Sequence, residues 1–84
     1  MIMFYFVYVI KSKEGFIYKG MTDNLERRLE EHNNKTLSFW TKRDTEWKLV
    51  YSEKFSEKSE ALKREHWLKT GVGREFLAKI LKQD

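Results

Sequence analysis

Arg28 and His32 are the residues of this chain with most to offer a reaction. Both fall in Asp23-Asn24-Leu25-Glu26-Arg27-Arg28-Leu29-Glu30-Glu31-His32, which reads as a capped amphipathic helix. Asp23 is a good N-cap, and Glu26 three residues on completes a capping box. Residues three and four apart stack on one side of a helix, so Leu25, Leu29 and His32 share a face, with Arg28 beside them and Arg27 roughly opposite. An arginine and a histidine thus stand at the edge of the apolar stripe, where a solvated face would not need them. Arg offers a rigid fork of donors to anionic oxygens, and His can hydrogen-bond or move a proton near neutral pH. Held beside a tyrosine-bearing strand, such a pair suits the handling of phosphate. A carboxylate joins the candidates further on. Glu65 falls between Ala61, Leu62 and Leu68, the inner face of a second helix, and burying a carboxylate in mid-stripe is expensive unless it is paired or binds a metal. The helix alone leaves three readings open: an ion pair with a nearby arginine, an edge residue that reaches water, or a metal ligand. His66 is turned off the inner face and is not a candidate ligand; Glu57 and Glu60 look solvated.

The elements that must position these side chains are legible in the pattern. Residues 4–10 are dense in aromatic and β-branched types, which reads as a strand. Both of its faces are apolar, as in a central strand covered on both sides. Residues 11–15 are polar and end in glycine, a turn, and residues 16–21 form the returning strand of a hairpin. By the two-residue period, Phe4, Phe6, Tyr8 and Ile10 share one face, and Phe16, Tyr18 and Gly20 share one face of the second strand. The two tyrosines therefore have the chance to lie side by side. The first helix fades near Asn33-Asn34. Residues 35–46 form a polar connection that carries Phe39 and Trp40. Residues 47–55 alternate and read as a third strand. Ser56 is expected to cap a second helix over about 57–69, ended by Thr70-Gly71. From Gly73 a short third helix turns Phe76, Leu77, Ile80 and Leu81 inward. The expected architecture is α+β: a small three-stranded antiparallel sheet flanked by about three helices, in the order β-β-α-β-α-α, with residues 1–84 as a single domain.

Size and composition limit the chemistry further. A chain of 84 residues has a thin stability margin, to which its three Trp, four Tyr and six Phe contribute large buried areas. The lack of cysteine excludes disulfide staples and thiolate metal sites. No apolar run approaches a membrane span, and the apolar start has neither a basic leading segment nor a small-residue cleavage site, so the expectation is a soluble, cytoplasmic protein with no membrane partner. A formal charge of +4 permits nucleic-acid binding without demanding it. Lys42, Arg43 and Lys48 have the charge to track a nucleic-acid backbone, with Phe39 and Trp40 near enough in sequence to stack on bases. Trp40 is equally suited to pack as a lid on a small core.

Two tyrosines on paired strands, Arg and His on the first helix and a carboxylate on the second form an order that resembles the GIY-YIG nuclease superfamily. The likeness is greatest to its small stand-alone members, related to the N-terminal nuclease domain of the bacterial excision-repair endonuclease. Phe6-Val7-Tyr8 stands where the family has its first tripeptide and Tyr18-Lys19-Gly20 where it has the second. Gly20-Met21-Thr22, Leu25, Arg28 and His32 continue the pattern. Leu49-Val50-Tyr51, Ser59-Glu60-Ala61-Leu62-Lys63-Arg64-Glu65 and Gly71-Val72-Gly73-Arg74-Glu75-Phe76-Leu77 extend it to nearly the whole chain. Two positions depart from it: Phe6 replaces the name-giving glycine of the first tripeptide, and Lys19 replaces the aliphatic residue of the second.

The resemblance implies a structure-directed endonuclease that hydrolyses phosphodiester bonds in DNA with one divalent cation, Mg²⁺ or Mn²⁺. By the same resemblance Glu65 is the metal ligand and Arg28 neutralises charge growing on the phosphate. Tyr8 positions or deprotonates the attacking water, while Tyr18 and His32 complete the hydrogen-bonded network. Which of the tyrosines and His32 is the base stays open, as does RNA in place of DNA. Gly20 is expected to let the backbone approach substrate closely, and Lys42 and Arg43 to contact nucleic acid. With no second domain for target recognition, specificity would come from a partner protein, a homodimer or the shape of the DNA. The alternative is a nucleic-acid-binding module that keeps the fold with little catalysis.

Overall fold

The structure, a computed structural model, describes residues 3–33 and 46–82. Its elements follow the order β1 (Tyr5–Ser12), β2 (Ile17–Thr22), α1 (Leu25–Asn33), β3 (Trp47–Phe55), α2 (Lys58–Leu68) and α3 (Gly71–Leu81). The strands form one antiparallel sheet in the order β2-β1-β3. This is the expected β-β-α-β-α-α fold, with the most apolar strand in the centre.

Alternation along β1 divides the molecule into two cores. Val7 and Val9 face one way and join Ala61, Leu68 and Leu77 under α2 and α3. Tyr8 and Ile10 face the other way and join Trp47, with Leu25 and Leu29 of α1 packed against them. Four of the five candidate residues lie on the side of the second core; Glu65 lies on α2, which packs on the first. The β1–β2 hairpin turns at Gly15, whose φ of +99° lies in the left-handed region that glycine adopts without a Cβ penalty. Ser12 secures the turn, its Oγ accepting from the Phe16 amide at 2.8 Å.

β3 holds a feature that simple alternation does not reveal. Val9 pairs with Tyr51 but Ile10 pairs with Leu49, so Val50 is an extra residue in the ladder. Residues directly opposite in a sheet point to the same face. The bulge therefore reverses the parity of β3: Trp47 lies in the Tyr8 core, whereas Tyr51 and Phe55 pack against the Val7 core. Tyr51 also donates to Glu53, which receives a two-pronged ion pair from Arg64 of α2 at 2.9 Å on each oxygen.

Several helix ends differ from expectation. Asn24, not Asp23, caps α1, its Oδ1 accepting from the Arg27 amide at 3.0 Å, while Asp23 forms an ion pair with Arg27. α2 starts one residue later than a Ser56 cap would place it, with Glu57 at the N-cap position and no side-chain cap bond. Thr70 does more than end α2: its hydroxyl donates to the Trp67 carbonyl and accepts from the Gly73 amide, so α3 begins at Gly71. Leu62 is exposed, because the seam of α2 runs through Ala61 and Leu68, seven residues apart.

Candidate active site

Four of the five candidate residues meet on the α1 side of the sheet, and local structure explains why. Tyr8 lies opposite Gly20 in the β1–β2 register, and Tyr18 lies two residues along the same face of β2. Their ring centroids are 6.3 Å apart. Arg28 and His32 are one turn apart on α1, which Leu25 and Leu29 fasten over this face. The far end of α1 is tied to the start of β3 by Asn33, whose side chain accepts from the Trp47 amide at 2.7 Å and donates to its carbonyl at 3.1 Å. Sequence reading took Asn33 only as the fading of the helix; no local pattern marks a bond across fourteen residues.

The Tyr8 hydroxyl is the hub. It lies 2.9 Å from Nε2 of His32 and accepts from Nε of Arg28 at 3.2 Å. The Tyr18 ring stands edge-on to the imidazole at 4.8 Å between centroids. Tyr8 and His32 are almost wholly enclosed, at 1% and 0% exposure. Burial pushes the Tyr8 hydroxyl up to about 12, against the pull of the adjacent Arg28. Burial, followed by the charge of Arg28, holds the His32 imidazole below its usual value, with Glu31 acting weakly the other way. At neutral pH the phenol thus keeps its proton and the imidazole stays neutral. With Arg28 occupying one lone pair of the phenolic oxygen, a His32 protonated on Nδ1 takes the Tyr8 proton on Nε2. A base and a hydroxyl share one short hydrogen bond beside a fixed cation.

Gly20 has a packing role that the sequence does not announce. A Cβ built there would lie 2.5 Å from the Tyr8 hydroxyl oxygen and 2.7 Å from the carbon that bears it. The space that glycine leaves is filled by the Tyr8 ring, so its absent side chain seats the phenol. Gly20→Ala is expected to force this ring out of place and to destabilise the fold by about 1–3 kcal/mol, as overpacking does. Any reaction that uses the Tyr8 hydroxyl should slow by about a hundredfold, the scale of a 1 Å misplacement. Thermal melting checks the first, and an alanine variant with unaltered melting refutes this account of Gly20.

Glu65 is set apart from these four. Its side chain is 15% exposed and forms an ion pair with Lys69 at 3.0 Å, not with Arg28. Arg28 instead bonds to Tyr8 and approaches Glu31 at 3.9 Å. The Glu65 charge still reaches the site, since it is among the influences raising the Tyr8 hydroxyl. Among the described residues, no three His, Cys, Asp or Glu side chains gather as a metal cage. The donor set suits a cation that keeps most of its waters and takes one carboxylate, as Mg²⁺ does. Glu65 already holds a cation, the half-exposed Lys69 ammonium, which has room to swing into solvent. Lys42, Arg43, Phe39 and Trp40 lie outside the described residues. Lys48 is exposed on β3 opposite Lys11, and His66 is exposed on α2, as expected.

Comparison with known proteins gives the family and the fold. The family model described as the GIY-YIG catalytic domain matches residues 4–75. A UPF0213 protein of Staphylococcus saprophyticus is 42% identical over 66 residues, spanning 79% of this chain and 80% of its own. One from Clostridium perfringens is 42% identical over 64 residues, spanning 76% and 69%. The solution NMR structure of a UPF0213 protein from Bacillus halodurans superposes with a TM-score of 0.56 at 26% identity, covering 92% of this chain and 84% of that one. These names carry no activity. Among the described residues, no helix is long and apolar enough to cross a membrane.

Proposed function

The chain belongs to the GIY-YIG catalytic domain family, and on that premise we propose that it is a metal-dependent endonuclease acting on DNA, with Tyr8, Tyr18, Arg28, His32 and Glu65 as its site. Membership implies a nuclease-type function and a nucleic-acid substrate. The observation that carries the finer reading is the enclosed network in which the Tyr8 hydroxyl meets His32 and Arg28.

The proposed chemistry follows from that network. Water attacks phosphorus while giving a proton to the Tyr8 oxygen, the phenol passes its own proton to Nε2 of His32, and the P–O bond to the departing sugar oxygen breaks, that oxygen taking a proton from solvent. Tyr8 alone, held near 12, is too weakly acidic to be a ready phenolate base at neutral pH. The neutral imidazole behind it supplies the basicity, so phenol and imidazole act as one base. Arg28 fixes the phenol through Nε, and its remaining guanidinium N–H groups stabilise the charge that grows on the phosphoryl oxygens. Tyr18 packs its ring against the imidazole at 4.8 Å between centroids and braces it. A divalent ion on Glu65 would supply Lewis-acid polarisation of a phosphoryl oxygen.

The test is cleavage of branched, nicked, single-stranded and duplex DNA, with RNA counterparts, under titration of Mg²⁺ and Mn²⁺. Product should form with metal and stop with chelator. The rate should rise with pH through the lowered His32 value and then level off across neutral pH. The sign follows from the role: His32 must be unprotonated to receive, so acid silences it. Tight nucleic-acid binding without cleavage of any substrate would replace the enzyme reading with that of a binding module.

A further inference from the structure

On the opposite face of the sheet from Tyr8, an open groove of about 570 Å³ runs between β2 and α3. Its rim carries Lys11, Lys19, Arg74 and Lys82 over a floor that includes Ile17 and Leu81. Among the described residues no carboxylate lines it and none of its four cations forms an ion pair. Like charges left together without a counter-ion repel one another, and a nearby anion relieves the repulsion. The effect is felt at Lys19, whose ammonium is held below its usual value by burial and then by the charges of Arg74 and Lys69. Lys69 in turn pairs with Glu65 at 3.0 Å. The cationic patch therefore leads from the groove, by way of Lys69, to the carboxylate of the candidate active site. Lys19 is also where this chain departs from the aliphatic residue of the family's second tripeptide.

We propose that the groove is a phosphate-binding subsite in which Lys19 and Arg74 hold the backbone of an unpaired nucleic-acid strand leading away from the bond to be cut. The proposal rests on the nuclease reading above. An unpaired strand fits better than a duplex, because it can follow the turn around the β2 edge that joins the two faces of the sheet. Its described floor is aliphatic, and among the described residues no aromatic ring lines it on which to stack bases. Recognition then goes through phosphates and sugars and is indifferent to base sequence. The Lys69 charge felt at Lys19 belongs to the partner of Glu65, so the groove shares the electrostatic neighbourhood of that carboxylate, which an acidic protein segment would not require.

Fluorescence anisotropy of a labelled oligothymidylate, with chelator present to prevent cleavage, tests the subsite. Neutralising both cations in Lys19→Ile with Arg74→Gln should weaken binding about tenfold at low salt and flatten the salt dependence by about 1.4 in log–log slope, at about 0.7 per phosphate contact on a single strand. Lys19→Arg should bind as the wild type does. Melting temperatures confirm that the variants fold, and Lys19→Gln and Arg74→Gln taken singly, each with half the change in slope, serve if the double variant does not. Unchanged affinity and slope overturn the proposal. So does a groove that binds polyglutamate while the variants leave oligonucleotide binding intact. Cleavage with Mg²⁺ is scored separately: normal cutting with unaltered binding in the variants rejects the subsite and keeps the nuclease. Weakened binding with no cutting by the wild type keeps the subsite and rejects the nuclease.

Discussion

Tyr8→Phe should lower cleavage by about 10²- to 10⁴-fold, the range supplied by a positioned proton-transfer group, while leaving a folded protein. The ring keeps its place over Gly20, where loss of the hydroxyl removes the tightest contact a side chain at that position would meet. Two partners are left behind. Nε2 of His32, fully buried, loses the hydroxyl at 2.9 Å, and Arg28 loses its acceptor at 3.2 Å. An unsatisfied buried polar group costs about 1–3 kcal/mol, so melting should fall measurably without collapse. A readout that packing alone would not move is the pH dependence. With the phenol gone, Arg28 loses the acceptor that fixes it, the charge that helps hold the His32 imidazole down moves, and the acid limb of any residual rate should shift. A phenylalanine variant that cuts at the wild-type rate removes Tyr8 from the chemistry.

Glu65→Gln should abolish metal-dependent cleavage by orders of magnitude and scarcely touch stability. A metal ion can supply several kcal/mol of transition-state stabilisation, and each 1.4 kcal/mol is a factor of about ten in rate. On the stability side the variant loses an ion pair whose lysine is half exposed, and such pairs contribute about 1 kcal/mol or less. Had Glu65 bridged to Arg28 in the interior, its loss would strand a buried guanidinium and cost about 3 kcal/mol or more. The observed partners, Lys69 for Glu65 and Tyr8 for Arg28, remove that reason for destabilisation. Binding of Mn²⁺ followed by electron paramagnetic resonance, with and without oligonucleotide, gives a readout independent of turnover. Retained Mn²⁺ affinity with full cleavage would overturn the assignment of Glu65.

Much of this arrangement is written in local pattern. The double-sided apolarity of β1 marks it as central, and its alternation brings Tyr8 and Tyr18 to one face. Helical period places Arg28 and His32 together and Glu65 on the seam between Ala61 and Leu68. What escapes the pattern depends on partners distant in sequence or on competition between near-equal local choices. Asp23 and Asn24 are both good caps, and the ion pair of Asp23 with Arg27 leaves Asn24 to bond the helix amide. A helical wheel ranks Leu62 with Ala61 but does not know where the sheet lies. Val50 looks like one more apolar residue in an alternating strand, and only pairing with β1 shows it as the bulge that sends Trp47 and Tyr51 to opposite cores. Gly20 shows the same limit: a glycine announces space, but not that the Tyr8 ring fills it.

The burial of Tyr8 and His32 has a consequence for descent. Both sit at the heart of a small core, so selection for folding alone protects them whether or not any reaction is performed. Arg28 and Glu65 stand nearer the surface and receive no such shelter. A lineage that abandoned catalysis would lose the arginine and the glutamate first and carry the tyrosine, the glycine beneath it and the histidine onward as a fossil of the site. In this fold burial alone accounts for keeping the tyrosine and the histidine, whereas keeping Arg28 and Glu65 is what folding does not require.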